Sequence, residues 1–436
     1  MNHMKILLVG SGGREHAIAR AFSKSPKVEL FAAMATPNQG IIDCANSYLI
    51  TKEINCDEIA AFCKKHKITH AFIGPEAPLE AGICDVLSVA GVTCASPSRA
   101  AARIETDKAF CRDLMSTHEI PGCPEYHFFA DCKDAISFLE THADIEYAIK
   151  PVGLTGGKGV RIIGEHVNFQ EAKAYLQELK QDIILEERLS GEEFTLQAFV
   201  DGKTLLPMPL VQDHKRAFEG DTGPNTGGMG SYSMIDHRLP FVSEDEYNTA
   251  FSIMKSVVSA LAEEKTPYTG VLYGQFMNTR TGPMVIEFNA RFGDPEAMNI
   301  MSLLDSDAGD LIEAMTTGTL DQFTLSFAKQ ATVCIYLVPS GYPENPKSDC
   351  EIVLPEVCDA LLYYANVRWE NGHLLTGRSR SLAFVGVGET LEEARVSAIS
   401  AASNVLGEVR FRTDIGTAKV LEQRITHMKT VRGDVT

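Results

Sequence analysis

Short apolar runs alternate with helically spaced stretches from the start of this chain. Lys5-Ile-Leu-Leu-Val9 reads as a strand, Ile18 to Phe22 as an amphipathic helical stretch, Val28 to Ala33 as a second strand, Cys56 to about Lys65 as a helix, and Ala71-Phe-Ile73 as a further strand. Runs of this length separated by helices predict an open parallel α/β sheet. One more unit reaches Ala95-Ser96-Pro97, and a helix from about Ser98 carries Lys108. Residues 124–189 read as a smaller α/β unit, with strands near Tyr147 to Ile149, Val160 to Ile163 and Ile183 to Leu185. Longer strands follow at Phe194 to Val200, Leu272 to Met277 and Met284 to Asn289. Near the C-terminus come a β-branched run, Ala331 to Val338, short strands at Leu361 to Val367 and Leu382 to Gly386, and a helix from about Leu391 to Leu406. The expected fold is α/β and α+β, multidomain, with units at 1–104, 105–330 and 331–436.

In Met284-Val-Ile-Glu287-Phe-Asn289 the strand period of two sends Glu287 and Asn289 to one face. A carboxylate and an amide oxygen suit a hard cation such as Mg2+, which keeps substrate phosphates and water in its other positions. Arg291, just beyond, offers a forked donor to phosphate or carboxylate.

Glycine-rich turns supply the other candidate chemistry. Lys5–Val9 runs into Gly10-Ser-Gly12-Gly13-Arg14-Glu15-His16-Ala17, a strand, glycine turn and helix that can bring backbone amides against an anion. A dinucleotide fingerprint would need glycine where Glu15 stands, and no convincing ribose-binding acid follows the second strand. Gly74-Pro75-Glu76-Ala77-Pro78-Leu79 forms a stiff loop at the carboxyl end of a strand, where open α/β sheets bind ligands. Lys150 precedes Pro151-Val-Gly153-Leu-Thr155-Gly156-Gly157-Lys158-Gly159, a loop whose spacing is not that of a Walker A motif. A glycine loop with a lysine at each end suits a flap over a triphosphate. The acidic hinge Glu186 to Glu193 can offer backbone groups to a purine edge, and a carboxylate such as Glu193 to ribose hydroxyls.

Composition narrows the partners. The formal charge of −18, from 58 acidic and 40 basic side chains, argues against a protein that holds nucleic acid by neutralising phosphates. Eleven cysteines lie without a C-x-x-C pair, so neither a zinc site nor a disulfide framework is expected, and a reducing cytoplasm fits best. No signal peptide or membrane-spanning run is expected. No strongly apolar surface helix advertises an obligate interface, so a monomer or weak dimer is expected.

The order of Lys108, Lys150, the Gly153 to Gly159 loop, the Glu186 to Glu193 hinge and Glu287-Phe-Asn289 resembles the ATP-grasp ligases. Gly10 to Ala17, Gly74 to Leu79, Gln212-Asp-His-Lys-Arg216, Asp221-Thr-Gly-Pro-Asn-Thr-Gly-Gly-Met-Gly230 and Glu287 to Glu296 resemble, more narrowly, the phosphoribosylamine-glycine ligase family. The resemblance covers essentially the whole chain. It implies an ATP-grasp core over 105–330 with a mobile B-type lid at about 124–189. The implied reaction joins glycine to 5-phosphoribosylamine through glycyl phosphate, with ATP as co-substrate and Mg2+ or Mn2+ as the metal. It gives glycinamide ribonucleotide, ADP and phosphate in purine biosynthesis. By the same resemblance Lys108, Lys150 and Lys158, with Gly156 and Gly157, contact ATP phosphates; Glu186 and Leu189 meet adenine; Glu193 holds the ribose. Glu287 and Asn289 look like metal ligands, with Gln275 where many ATP-grasp enzymes place another carboxylate. Arg291, Lys158 and Asp221 are the implied catalytic residues. Asp221, Asn225, Thr226, Gly228 and Arg291 would build the substrate pocket, and Gly10, Gly12, Gly13 and Glu76 its phosphoribosylamine side. The pattern departs from the family at Tyr363-Tyr-Ala-Asn-Val367, which replaces a common His-Ala-Gly-Thr segment, so the role of that surface is open. Arg412 and Asp414 read as a structural pair or a domain contact.

Overall fold

The computed structural model describes residues 3–154 and 159–433. Lys158, Gly156 and Gly157, expected to close over phosphate, lie outside the described residues. The apolar runs of the N-terminal third form the expected parallel sheet, in the order Ser47–Ile50, Val28–Met34, Met4–Val9, His70–Ile73, Thr93–Cys94. Strand order reverses between Met4–Val9 and His70–Ile73. The glycine turn and the Gly74 loop leave the carboxyl ends of these two strands, the place where such sheets form a crevice.

The single helix expected from Ser98 is two, Arg99–Thr106 and Lys108–Thr117. Asp107 breaks them: it takes an extended backbone and its side chain accepts a bond from Phe110 N, so Lys108 opens the second helix. The lid is an antiparallel sheet in the order Tyr126–Phe129, Ile183–Glu187, Tyr147–Pro151, Arg161–Ile162. It has its own small core around Leu139, Tyr147, Ile149, Leu176 and Leu185. A four-stranded antiparallel sheet lies under it: Leu205–Pro207, Glu192–Asp201, Thr269–Thr279, Gly282–Asn289.

The C-terminal sheet is interleaved with the centre of the chain. Gln212–Asp213 pairs with Gly230–Ser233, which pairs with Ala331–Pro339, followed by Leu382–Gly388 and Leu361–Tyr364. The expected strand Leu361 to Val367 ends at Tyr364, and Val367–Glu370 joins a separate small sheet. The segment from Gln212 to Gly230, carrying much of the family-like sequence, is therefore anchored on the C-terminal sheet. Helix Ala418–Arg432 returns to the central strands, where Arg424 and His427 both reach Glu192. No helix among the described residues is long and apolar enough to cross a membrane.

Candidate active site

Strand pairing alone assembles the centre. Gln275 stands opposite Glu287, Tyr273 opposite Asn289, and Thr195 opposite Gln275. With a period of two, Glu193, Gln275, Glu287 and Asn289 share one face. Asn289 Nδ2 donates to Glu287 Oε1 at 3.4 Å. Gln275 Nε2 donates to Glu193 Oε2 at 2.6 Å, which leaves its Oε1 as the atom it can offer a cation. Lys215 Nζ lies 3.3 Å from the same Glu193 Oε2.

Burial works to raise the Glu287 carboxyl, but Lys215, Lys108 and Lys150, with the Asn289 bond, hold it below its ordinary value. A charged carboxylate ringed by three ammonium groups, with an amide oxygen beside it, fits a divalent ion that also takes phosphate oxygens. Among the described residues no group of three or more His, Cys, Asp or Glu could hold a metal by itself.

The lid is fastened next to Glu287 and Asn289. Arg112 forks onto Glu186 at 2.8 and 3.0 Å and donates to the carbonyls of Val285 and Ile286, immediately before Glu287. Lys150 Nζ donates to Glu186 Oε2 at 2.5 Å and to Ile286 O at 3.1 Å, keeping a third donor for a ligand. The Glu186 side chain is thus spent on two cations, and only its backbone could meet a purine. Leu189 follows the same lid strand and is half-buried. Lys108 Nζ donates to Gly153 O at 3.0 Å, and burial pulls its ammonium below the usual range, with Glu287 opposing.

Arg291 leads from this centre to the N-terminal sheet. Its Nη2 lies 2.7 Å from Glu105 and its Nε 3.3 Å from Glu76. Burial works against the Glu76 carboxyl, and Arg291 and Arg14 hold it down to about 2 all the same. Beyond it, Gly12 N donates to Glu15 Oε2 at 2.7 Å, and Gly13 approaches so closely that a Cβ there would lie 2.6 Å from the Tyr336 hydroxyl. The glycine turn opens onto a cavity of about 330 Å3, walled also by Asp294 and, from the C-terminal domain, by Asn366, Ser379 and Arg380.

The Asp221 to Gly230 segment closes the remaining side. Thr226 donates from both its N and its Oγ1 to Lys215 O at 2.8 Å, fixing the backbone that carries Lys215. Asn225 stands opposite Arg216 at the base of the hairpin. Gly228 adopts φ +110, and a Cβ there would meet Pro295 at 2.6 Å. Arg380 Nη1 donates to the carbonyls of Gly227, Gly228 and Asp294 at 2.6, 3.2 and 2.9 Å, joining this loop to the turn after Arg291. Asp221 lies at the hairpin tip with φ +52. Burial disfavours its charge, yet His214 at 3.2 Å, Arg424 at 2.9 Å and Arg412 at 2.8 Å hold it well below the usual carboxylate range. Arg412 also forks onto Asp414 at 2.8 and 2.7 Å, so the expected structural pair is also a domain contact.

Models of the N, ATP-grasp (A) and C domains of phosphoribosylglycinamide synthetase match residues 4–105, 106–297 and 332–418. The chain belongs to the phosphoribosylglycinamide synthetase family. A phosphoribosylamine–glycine ligase of Methanoregula boonei is 60% identical over 426 residues, 98% of this chain and 100% of that protein. One of Methanocorpusculum labreanum is 54% identical over 430 residues, again 98% and 100%. The crystal structure of phosphoribosylamine–glycine ligase from Thermotoga maritima superposes with a TM-score of 0.79 at 26% identity, covering 94% of this chain and 100% of that one. A biotin carboxylase from Campylobacter jejuni shares the fold, with a TM-score of 0.71 at 12% identity over 98% of this chain and 95% of that one.

Three residues of the site are not marked by any sequence pattern. Lys215 was visible only as part of Gln212 to Arg216, and no spacing rule aims it at Glu193. Glu105 sits on a helical face that reads as ordinary amphipathic surface. Arg380 lies in a short polar stretch whose importance comes from chain crossings more than 150 residues away in sequence, at Gly227 and Gly228.

Proposed function

We propose that the chain works as a phosphoribosylamine–glycine ligase, across units divided near residues 104 and 330, with ATP bound between the lid and the central sheet. The observation that carries this reading is the Glu287–Asn289 face, ringed by Lys108, Lys150 and Lys215 and joined through Arg291 and Glu76 to the glycine-turn cavity. Nucleotide, acid and amine thus have adjoining places.

Glu287 and Asn289, with Gln275 Oε1 in reach, would hold Mg2+. When bound, the ion withdraws charge from the phosphate oxygens and so eases attack at the γ-phosphorus. Lys150 and Lys108 neutralise and align the triphosphate, Glu193 takes the ribose through Oε1, and the backbone from Glu186 to Leu189 borders adenine. Lys215 holds the glycine carboxylate, because it is a half-buried cation beside the metal face with one partner, Glu193, at 3.3 Å.

A glycine carboxylate oxygen bonds to the γ-phosphorus as the bond to ADP breaks, which turns a poor electrophile into an acyl phosphate. The amine of phosphoribosylamine then bonds to the carbonyl carbon, phosphate leaves, and the nitrogen gives up a proton. Arg291 stabilises charge on the departing phosphate, and positioning supplies most of the acceleration. Asp221, held ionised by Arg412 and Arg424 and bonded to His214, positions the hairpin that carries Asn225 and Thr226 over the acceptor. The phosphoribosyl group occupies the cavity between the glycine turn and Arg380. The setting is a reducing cytoplasm, with the chain as a monomer or weak dimer.

The test is ADP release by purified protein with ATP, Mg2+ and glycine, with and without freshly generated 5-phosphoribosylamine, with the product followed by mass spectrometry. Release that needs both acceptors and yields glycinamide ribonucleotide is expected. Turnover only with another acid or amine would retire the named substrates.

A further inference from the structure

The sequence offers no acid after the second strand to read a ribose, yet the fold brings one from elsewhere. Glu53, in the turn after strand Ser47–Ile50, lines the same cavity as Gly12, Gly13 and Arg380. Ser11 Oγ donates to Glu53 Oε1 at 2.6 Å, and Ser11 Oγ itself accepts from Ala35 N at 2.8 Å. Ser11 is pinned in turn by Asn38 Nδ2, which donates to its carbonyl at 2.9 Å. Glu53 is therefore held by three successive strand ends of the N-terminal sheet. Its bonds from Ser11 and Ala35 both end on Oε1, and among the described residues no cation lies within ion-pair distance.

A partly buried carboxylate with no cation in ion-pair contact, on the wall of a cavity furnished with glycine amides and arginines for an anion, is a costly arrangement. It repels phosphate, so it is not part of the phosphate seat. The amine must reach the acyl phosphate by Arg291, whereas Glu53 comes from the edge strand of the N-terminal sheet. What remains of a phosphoribosyl group is its pair of ring hydroxyls, which are donors matched to a carboxylate oxygen.

We infer that Glu53 accepts hydrogen bonds from the ribose hydroxyls of the phosphoribosyl substrate through Oε2, and so makes the enzyme select a ribosyl over a 2-deoxyribosyl acceptor. This rests on the reading of the cavity given above. A site built to bond a hydroxyl rejects the analogue lacking it more strongly than an apolar pocket does, because its polar atom is left unpaired.

The test measures binding of the stable product, glycinamide ribonucleotide, and of its 2-deoxyribose counterpart by calorimetry, to the wild type and to Glu53→Ala. The wild type is expected to prefer the ribonucleotide by about tenfold or more, and Glu53→Ala to lose that preference mainly by weakening the ribonucleotide. Equal weakening of both compounds would make Glu53 a structural pin of the glycine turn and overturn the inference, as would a wild type that does not distinguish them. Failure of the wild type to bind glycinamide ribonucleotide at all would instead bring down the cavity reading, and this inference with it. Should Glu53→Ala not fold, Glu53→Leu, which keeps the bulk and offers no acceptor, carries the same comparison, and an unchanged preference there is equally decisive against it.

Discussion

Arg291 and Glu105 form an ion pair at 2.7 Å that joins the turn after strand Gly282–Asn289 to the last turn of helix Arg99–Thr106. The same carboxylate accepts Ala290 N at 2.7 Å, so Glu105 holds both the side chain and the backbone that place Arg291. Burial pushes its carboxyl up to about 7, with Arg291 opposing. The orientation of a residue proposed to meet the acyl phosphate thus depends on a carboxyl that burial raises towards neutral pH.

The wild type is expected to lose kcat/KM on the acid side of a step near pH 7, as Glu105 protonates and Arg291 loses its closest partner. Glu105→Gln should show a lower, flat profile across that range. Stability should run the other way. A carboxyl raised in the fold favours folding below its unfolded value and loses that contribution as pH rises through 7. Urea midpoints should therefore show Glu105→Gln gaining on the wild type between pH 5 and 8. A step that survives in the variant would assign it to another group.

Lys215→Met tests the glycine seat. Losing a charge-assisted bond to a carboxylate is expected to raise the glycine KM on the order of tenfold or more, with the KM for ATP little changed. Initial rates at varied glycine and varied ATP separate the two. A rise confined to ATP would move Lys215 to the nucleotide.

Glu287→Ala should abolish magnesium-dependent turnover, a loss on the order of a hundredfold or more, while leaving the fold intact. The loss follows from removing the carboxylate of the proposed ligand pair; the fold survives because Glu287 is partly exposed at a ligand face. ADP release and a thermal melt report the two separately. Activity at the wild-type level would sink the metal assignment.

What the sequence could show was local. Glu287 and Asn289 were legible because strand period puts them on one face whatever the tertiary fold does, and the N-terminal sheet was legible because its runs are continuous and apolar. The break at Asp107 was missed because one residue choosing a cap over a helical turn leaves no mark on apolar spacing. Glu105, Lys215 and Arg380 were missed for a different reason. Their partners stand 185, 22 and 153 residues away, and only the crossing of sheets brings them together. Glu186 was legible as an acidic hinge residue, but its use of both oxygens on Arg112 and Lys150 was not.

That hinge carries the last prediction. Glu186 is 3% exposed and its carboxyl is held down to about 2 from an ordinary 4.5, because Arg112 and Lys150 outweigh the cost of burial. Its contribution to stability is therefore fully present above about 4.5 and lost as pH falls towards 2. Glu186→Gln removes the charge and leaves two buried cations facing an amide, a change expected to cost about 3–5 kcal/mol. The loss should be largest at neutral pH and shrink on acidification, since the wild type then gives up the same charge. Because Arg112 and Lys150 also bond the carbonyls before Glu287, lid and metal face should loosen together. Urea unfolding at pH 7 and at about pH 2 measures the first effect, and amide exchange at 147–151 and 285–289 the second. A variant as stable as the wild type at pH 7 would mean that the two cations find other partners, and that the lid is held to the sheet by packing alone.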